Sequence, residues 1–344
     1  MHAHDLTRAF RRSGLTPSPH RHPQGEKTAR HPADWLGCWV ALVAALVASA
    51  FVGAVPAAAA APITVCPSGC DYTSIQAAID AAPSGGLIDV GAGTYEGPLT
   101  IDKDLTLAGA GAAQTTITVP HSGTVITVDG GVSATVRAVT ISGGSAKLGG
   151  GIFNQSGASL TVQNSTIADN SAREDGGGIY NAFGATLTLD HSRLSDNTAA
   201  DGGGGMVNPG GTASLNSTTV TGNRSLHAGA GGIGNNGTMS LSESSVTGNA
   251  AGGAGGGIFI NPNGTLTVSD STVSGNTAAS YGGGIFTRGK SVTLTSSTVS
   301  NNTAGIDGGG IFVSAGTVTL QGSTVSGNTP DNCAPPSSVA GCTG

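Results

Sequence analysis

Basic side chains are scarce in this chain of 344 residues: Lys and Arg number 14, against 20 Asp and Glu. Six of the fourteen (Arg8, Arg11, Arg12, Arg21, Lys27 and Arg30) lie in the first 34 residues. Beyond Ala61, eight Lys and Arg face seventeen Asp and Glu, a formal charge of −9 with His neutral. No basic stripe remains, which excludes a nucleic-acid partner. The five Cys form no Cys-x-x-Cys pair and have no His close by, so the pattern of a zinc site is lacking. A second long apolar run is also lacking, so the mature chain is not expected to span a membrane. Low charge and 58 Gly would suit a disordered chain. Disorder, however, follows from too little apolar surface to offset ordering entropy, and here Val, Ile and Leu recur in register.

The basic start is followed by an apolar run, Trp35 to Ala61, ending in small residues. A basic n-region, an apolar core and Ala-x-Ala sites before Pro62 read as a signal peptide over residues 1–61, cleaved between Ala59 and Ala61. The alternative is an uncleaved anchor, since about 20 apolar residues can span a bilayer. A start codon downstream of Met1 would account for the long n-region. Either way the expected location is secreted, extracellular or at the cell surface. Cys38 falls within this segment. An even set of four, Cys66, Cys70, Cys333 and Cys342, then suggests disulfides.

A block like Ser-Thr-Val-Ser-Gly-Asn recurs, its final Asn at 170, 197, 223, 249, 276, 302 and 328. A degenerate copy puts Gly144 one period earlier. The spacing is 26 or 27 residues. Each period holds three β-prone pieces: a Gly-Gly-Gly-Ile run with an aromatic (Gly149–Phe153, Gly176–Tyr180, Gly255–Phe259, Gly282–Phe286, Gly308–Phe312), a Thr-Leu-Thr-Leu run, and the Asn block. Period-two alternation with Val and Thr favours strands, and Gly, Asn and Ser between them favour turns. One such turn of chain cannot bury its own apolar face, but stacked copies can. The reading is all-β: a right-handed parallel β-helix solenoid, three short strands per coil of about 26 residues, about ten coils. The predicted inner rows are Ile141, Ile167, Leu194, Val220, Val246, Val273, Val299, Val325 and Leu189, Leu215, Leu241, Val268, Leu294, Leu320. The recurring Asn should hydrogen-bond from coil to coil. A propeller needs about 40 residues per repeat, and the calcium-binding nonapeptide pattern is absent.

The predicted domains are an N-terminal cap over 62–86, the β-helix over 87–329 and a disulfide-closed C-terminal cap over 330–344. Thr73 to Gln76 fits a capping box opening a short helix, stopped by Pro83-Ser84-Gly85-Gly86. Ten coils at about 4.8 Å are roughly 48 Å long, and bridged Cα atoms lie within about 7 Å. The pairs are therefore Cys66–Cys70 and Cys333–Cys342.

Residues Tyr72–Gly111 resemble the opening coils of pectate-lyase-like and pectin-esterase-like β-helices. The Gly-Gly-Gly-Ile-Phe-Asn and Ser-Thr-Val-Ser-Gly-Asn repeats resemble those of polymorphic outer-membrane proteins. The resemblance covers nearly all of residues 63–330 and implies the fold. It does not imply one activity, because the fold carries lyases, hydrolases, esterases and adhesins. The Asp cluster with Arg of calcium-dependent lyases, the Gly-His-Gly of polygalacturonases and the autotransporter barrel all lack counterparts here.

Acidic residues follow the Asn row at similar offsets. Glu174, Asp175 and Asp201, with His227, should sit on neighbouring turns about 5 Å apart per coil, a spacing suited to paired carboxylates or Ca²⁺. Solvated charge is the plainer reading. Arg193 and His191 are placed on the third strand and read as outward side chains. The residue after each inner Ile or Met is Phe153, Tyr180, Val207, Gly234, Phe259, Phe286 and Phe312. If the Ile row faces in, Phe153, Tyr180, Phe259, Phe286 and Phe312 face out as a ligand-binding row, broken at Val207 and Gly234. The leading expectation is a secreted or surface module, monomeric and without cofactor, that binds a polysaccharide or another cell-surface component. The alternative is a polysaccharide lyase or glycoside hydrolase, with Ca²⁺ if a lyase. A scaffold without ligand is the third reading.

Overall fold

A computed structural model describes residues 61–120 and 122–342. The export segment expected over 1–61 lies outside the described residues, apart from Ala61. Among those described, no helix is long and apolar enough to cross a membrane.

The chain winds into a parallel β-solenoid. Sheet 1 has eleven strands, running from Ile63–Val65 through Ser159–Gln163 to Thr317–Gln321. Sheet 2 has ten, from Gly93–Glu96 through Thr166–Ala168 to Thr324–Ser326, and sheet 3 has ten, from Leu99–Ile101 through Ile152–Asn154 to Cys333–Ala334. A minor ladder of seven two-residue strands, Ser145–Ala146 to Thr303–Ala304, tightens the path from sheet 2 back to sheet 3. Strand partners are the same residues one period apart, for example Leu187 beside Leu160 and Val246 beside Val220. Both predicted inner rows form, buried along their length and half-exposed only at Val325 and Leu320 in the last coil.

Polar groups at the corners are satisfied along the axis. Each Asn of the row from Asn170 to Asn302 donates its Nδ2–H to Oδ1 of the next at 2.9–3.0 Å. That same Oδ1 also accepts the backbone N–H of the preceding Asn, as in Asn223 to Asn249 at 3.0 Å. The chain begins at Gly144, whose N–H donates to Asn170, and ends at Asn332, which receives Asn328. Two further rows were not anticipated. Asn154, Asn181, Asn208 and Asn235 form a second buried amide ladder. Ser165, Ser192, Thr218, Ser244, Ser271 and Ser297 accept the corner N–H of the coil before through their hydroxyls. The residues just before that hydroxyl row turn the corner at positive φ, among them His191 at 46°. His191 is therefore a corner residue and not on the strand, which spans Arg193–Ser195.

The helix α1, Ile75–Ala81, lies over the first coil with Ile75, Ala78 and Ile79 buried. Its N-cap is Ser74, which accepts from Ala77 N–H, so the expected box from Thr73 does not form. Gln76 instead serves the edge of sheet 3. Its Oε1 accepts Thr100 N–H at 2.8 Å and its Nε2 donates to Thr100 O at 3.2 Å. One side chain thus completes the ladder of a strand that has no neighbour on that side. Ile63–Val65 of the cap also pairs with Gly86–Val90 as a strand of sheet 1.

Both disulfides join local pairs, Cys66–Cys70 and Cys333–Cys342, with Cα atoms 5.5 and 6.2 Å apart. The C-terminal cap adds Cys333–Ala334 to sheet 3. It docks through Asp331: Gly308 N–H donates to both Asp307 Oδ1 and Asp331 Oδ1 at 3.0 Å, which brings two carboxyls together. Burial, then a hydrogen bond with Asp307 and its charge, push the Asp331 carboxyl up to about 6. The folded value lies above the unfolded one, so the stabilisation is complete below about 3.8 and is lost as pH rises through about 6. Hydrogen exchange at Ile311 N–H, which bonds Asn332 O, should therefore be faster near pH 7.5 than near pH 4.5 after correction for intrinsic exchange. Asp331→Asn should flatten the difference. A cap equally protected at both pH values would show that the carboxyl pair does not hold it.

Candidate functional site

Sheet 3 turns its Ile and Met row inward: Ile152, Ile179, Met206, Ile233, Ile258, Ile285 and Ile311 are fully buried. Strand alternation then puts the next residue of each strand outside. The aromatic row accordingly lies on the outer face, in two clusters, half-buried except at Phe286, which is buried between its neighbours' rings. Phe153 and Tyr180 meet edge to face at 5.5 Å. Phe259 and Phe286 stack at 4.6 Å, Phe286 and Phe312 stack at 5.6 Å, and Tyr281 joins Phe312 at 4.6 Å. Between the clusters stand Val207 and Gly234, paired in register with each other and with Phe259. The break opens a groove of about 700 Å³.

The floor of this groove is Val207 and Gly234, and Phe259 and Phe286 close one end. One wall comes from the glycine turns before sheet 3 and carries Asp175 and Tyr281; the other comes from the turns after it and carries Asn236, Asn261, Asn263 and Arg288. That second wall is braced. Arg288 donates to Asn261 Oδ1 at 2.9 Å and lies over the Phe259 ring at 5.1 Å, a cation–π arrangement. Asn263 N–H donates to Asn236 Oδ1, and Asn236 Nδ2 donates to Pro209 O, each at 3.1 Å.

Of the four acidic and His candidates, only Asp175 lines the groove. Burial raises its carboxyl above the usual range; a hydrogen bond from Gly202 N–H opposes this, and the charges of Asp201 and Glu174 add to the rise. Burial, then Asp175 and Glu174, likewise raise the Tyr180 phenol. Glu174 is paired with Lys147 at 3.3 Å, and Asp201 with His227 at 3.4 Å, both on exposed turns. Arg193 is exposed on sheet 2 and His191 contacts Asp190 at 2.9 Å, both away from the groove lining. Among the described residues, no three His, Cys, Asp or Glu side chains are placed to hold a metal ion together. Of the five aromatics of the predicted row, Phe259 and Phe286 border the groove, whereas Phe153, Tyr180 and Phe312 extend the outer face on either side.

Parallel in-register coils of three sheets define this chain as a right-handed parallel β-helix protein with a pectate-lyase-like fold. The family model described as the right-handed β-helix region matches residues 122–291. Among solved structures, the chain is similar to a pectate lyase at 16% identity, covering 83% of this chain and 81% of that one with a TM-score of 0.53. It is also similar to a pectin methylesterase from carrot at 13% identity, covering 83% and 88% with a TM-score of 0.41. At 16% identity the likeness to the pectate lyase is one of fold. No curated protein sequence matches.

Proposed function

We propose that the protein is an extracellular glycan-binding β-helix module that lays a polysaccharide along the outer face of sheet 3. The carrying observation is the open groove at Val207 and Gly234, ended by the stacked pair Phe259 and Phe286. Aromatic rings in the lining suit the apolar face of a sugar, and the carboxamides and carboxylate of the walls suit its hydroxyls. Two disulfides fit an oxidising compartment. Phe259→Ala should weaken retention on an immobilised polysaccharide panel about tenfold or more, as loss of a central aromatic anchor does. Retention equal to the parent would sink the reading.

One observation favours a catalytic role: Asp175 is a groove carboxyl with a raised pKa, as a general acid or base would be. Against it, glycoside hydrolysis uses a second carboxyl across the bond, and Asp175 is the only carboxylate in the groove lining. New chain ends released by the parent protein and not by Asp175→Asn would replace the binding reading with an enzymatic one.

A further inference from the structure

Glycines in the turns of this chain answer to the backbone. Gly255 and Gly282 adopt φ of 72° and 63°, and a Cβ at Gly204 would strike the backbone of Arg224. Gly234 is under neither constraint. Its φ is outside the left-handed region, and the atoms nearest an added Cβ are Gly203 N at 3.4 Å and Val207 Cγ2 at 3.5 Å, ordinary contact distances. Glycine inside a strand costs entropy and packing, and the equivalent position of the neighbouring coils holds Val, Phe or Tyr. Folding gives no reason for a bare rung there.

The bare rung has a defined shape. Rungs repeat at about 4.8 Å, so Val207 and Phe259 stand about 9.6 Å apart with one rung missing between them. Phe259 already stacks on Phe286 of the following coil. The register sets no side chain against its other face, because its partner there is Gly234. A single flat ring inserted at Gly234 continues the stack, with Val207 on its far side.

The surrounding charge narrows what ring that is. Asp175 projects from one wall, with Glu174 and Asp201 close enough to act on its carboxyl. The one Arg of the lining, Arg288, belongs to the coil beyond Phe259 and is already engaged by that ring and by Asn261. A uronate at Gly234 would meet the Asp175 carboxylate, a charge of its own sign, whereas hydroxyls would find an acceptor there. We infer that the slot at Gly234 takes one pyranose ring of a neutral polysaccharide, stacked on Phe259 in place of the missing rung, with Asp175 accepting from its hydroxyls. This rests on the glycan-binding reading and names its ligand.

The test is affinity electrophoresis of the parent protein, Gly234→Phe and Asp175→Asn through hydroxyethyl cellulose, glucomannan and polygalacturonate, with urea unfolding of each. Gly234→Phe fills the slot; it should unfold at the same or higher urea concentration while losing at least about tenfold of the affinity for the neutral polymer. Asp175→Asn should narrow the preference for neutral over uronic polymer. If Gly234→Phe folds and binds like the parent, the slot is refuted and the groove reading survives. A parent protein that prefers polygalacturonate refutes the neutral class alone. If none of the three polymers slows the parent, the glycan reading fails with it.

Discussion

Asn249→Asp is expected to destabilise the solenoid more than Asn249→Ala at neutral pH, and to recover part of that loss in acid. Asn249 is buried at the middle of the amide row. Its Oδ1 accepts both the N–H and the Nδ2–H of Asn223 at 3.0 Å. Its Nδ2 donates to Asn276 Oδ1 at 2.9 Å and to Val220 O at 3.0 Å. Alanine removes these four bonds and a fifth, from Nδ2 to Thr247 O at 3.2 Å, and leaves Asn223 N–H without its acceptor. At about 1–3 kcal/mol for each buried group left unpaired, a loss of about 3 kcal/mol follows. Aspartate keeps the accepting oxygen but turns a second one toward Asn276 Oδ1 and Val220 O. An unpaired buried charge is costlier than a cavity of this size, so about 4–5 kcal/mol is expected. Burial would raise the new carboxyl in the folded state above its unfolded value. The missing stability therefore returns as pH falls through that raised value, when the protonated oxygen can donate to Asn276. Urea midpoints near pH 7 and pH 4.5 decide the matter. Equal losses for the two variants, without pH dependence, would mean that the row acts by volume and not by direction.

That row was legible because its signal is a single residue type at a fixed period, and the inner Val, Ile and Leu rows were legible for the same reason. The second amide row was not. Asn154, Asn181, Asn208 and Asn235 recur for only four coils before Ile260 and Thr287 take the position, and the adjoining aromatic drew the reading of that strand. The hydroxyl row at Ser165 lay inside the repeat already recognised, but Ser is so common at solvated turns that burial alone reveals its role. The groove was hidden for another reason. In the sequence Val207 and Gly234 are only breaks in an aromatic row, and an absence of side chain becomes a site only when its neighbours in space are known. Asp175 could not be told from Glu174 by offset, because which of two adjacent residues enters the groove depends on the bend of the turn: one meets Gly202 and the other Lys147. Fold is therefore written in repetition, and the candidate site in departures from it.

Gly231→Ala should be among the most damaging single-methyl changes in the chain, although Gly234→Ala, three residues on, should be neutral or stabilising. Gly231 follows Gly229 and Ala230 in its turn, and its φ, unlike that of Gly229, is not positive. A Cβ there would strike Gly256 O and lie 2.6 Å from both N and C of Ala250. These atoms are backbone of the next coil, tied into the stack by Gly231 N–H to Gly255 O at 3.1 Å and Ala250 N–H to Asn223 O at 2.9 Å. No rotamer change can relieve the contact; the coils must part, and the neighbouring hydrogen bonds with them. A loss of about 4 kcal/mol or more is expected. Gly248 supplies the intermediate case: its φ is 63° but nothing lies closer to an added Cβ than Thr221 Oγ1 at 3.9 Å. Alanine there should cost only the left-handed penalty, about 1–2 kcal/mol. At Gly234 alanine meets neither obstacle and should gain up to about 1 kcal/mol through reduced freedom of the unfolded chain. The three variants, ranked by urea midpoint, separate close approach, backbone conformation and vacancy. A Gly231→Ala protein as stable as the parent would mean that the coils can spread at this turn. The wall bearing Ala230 would then yield as readily, and the groove could not hold a fixed width against a ligand ring.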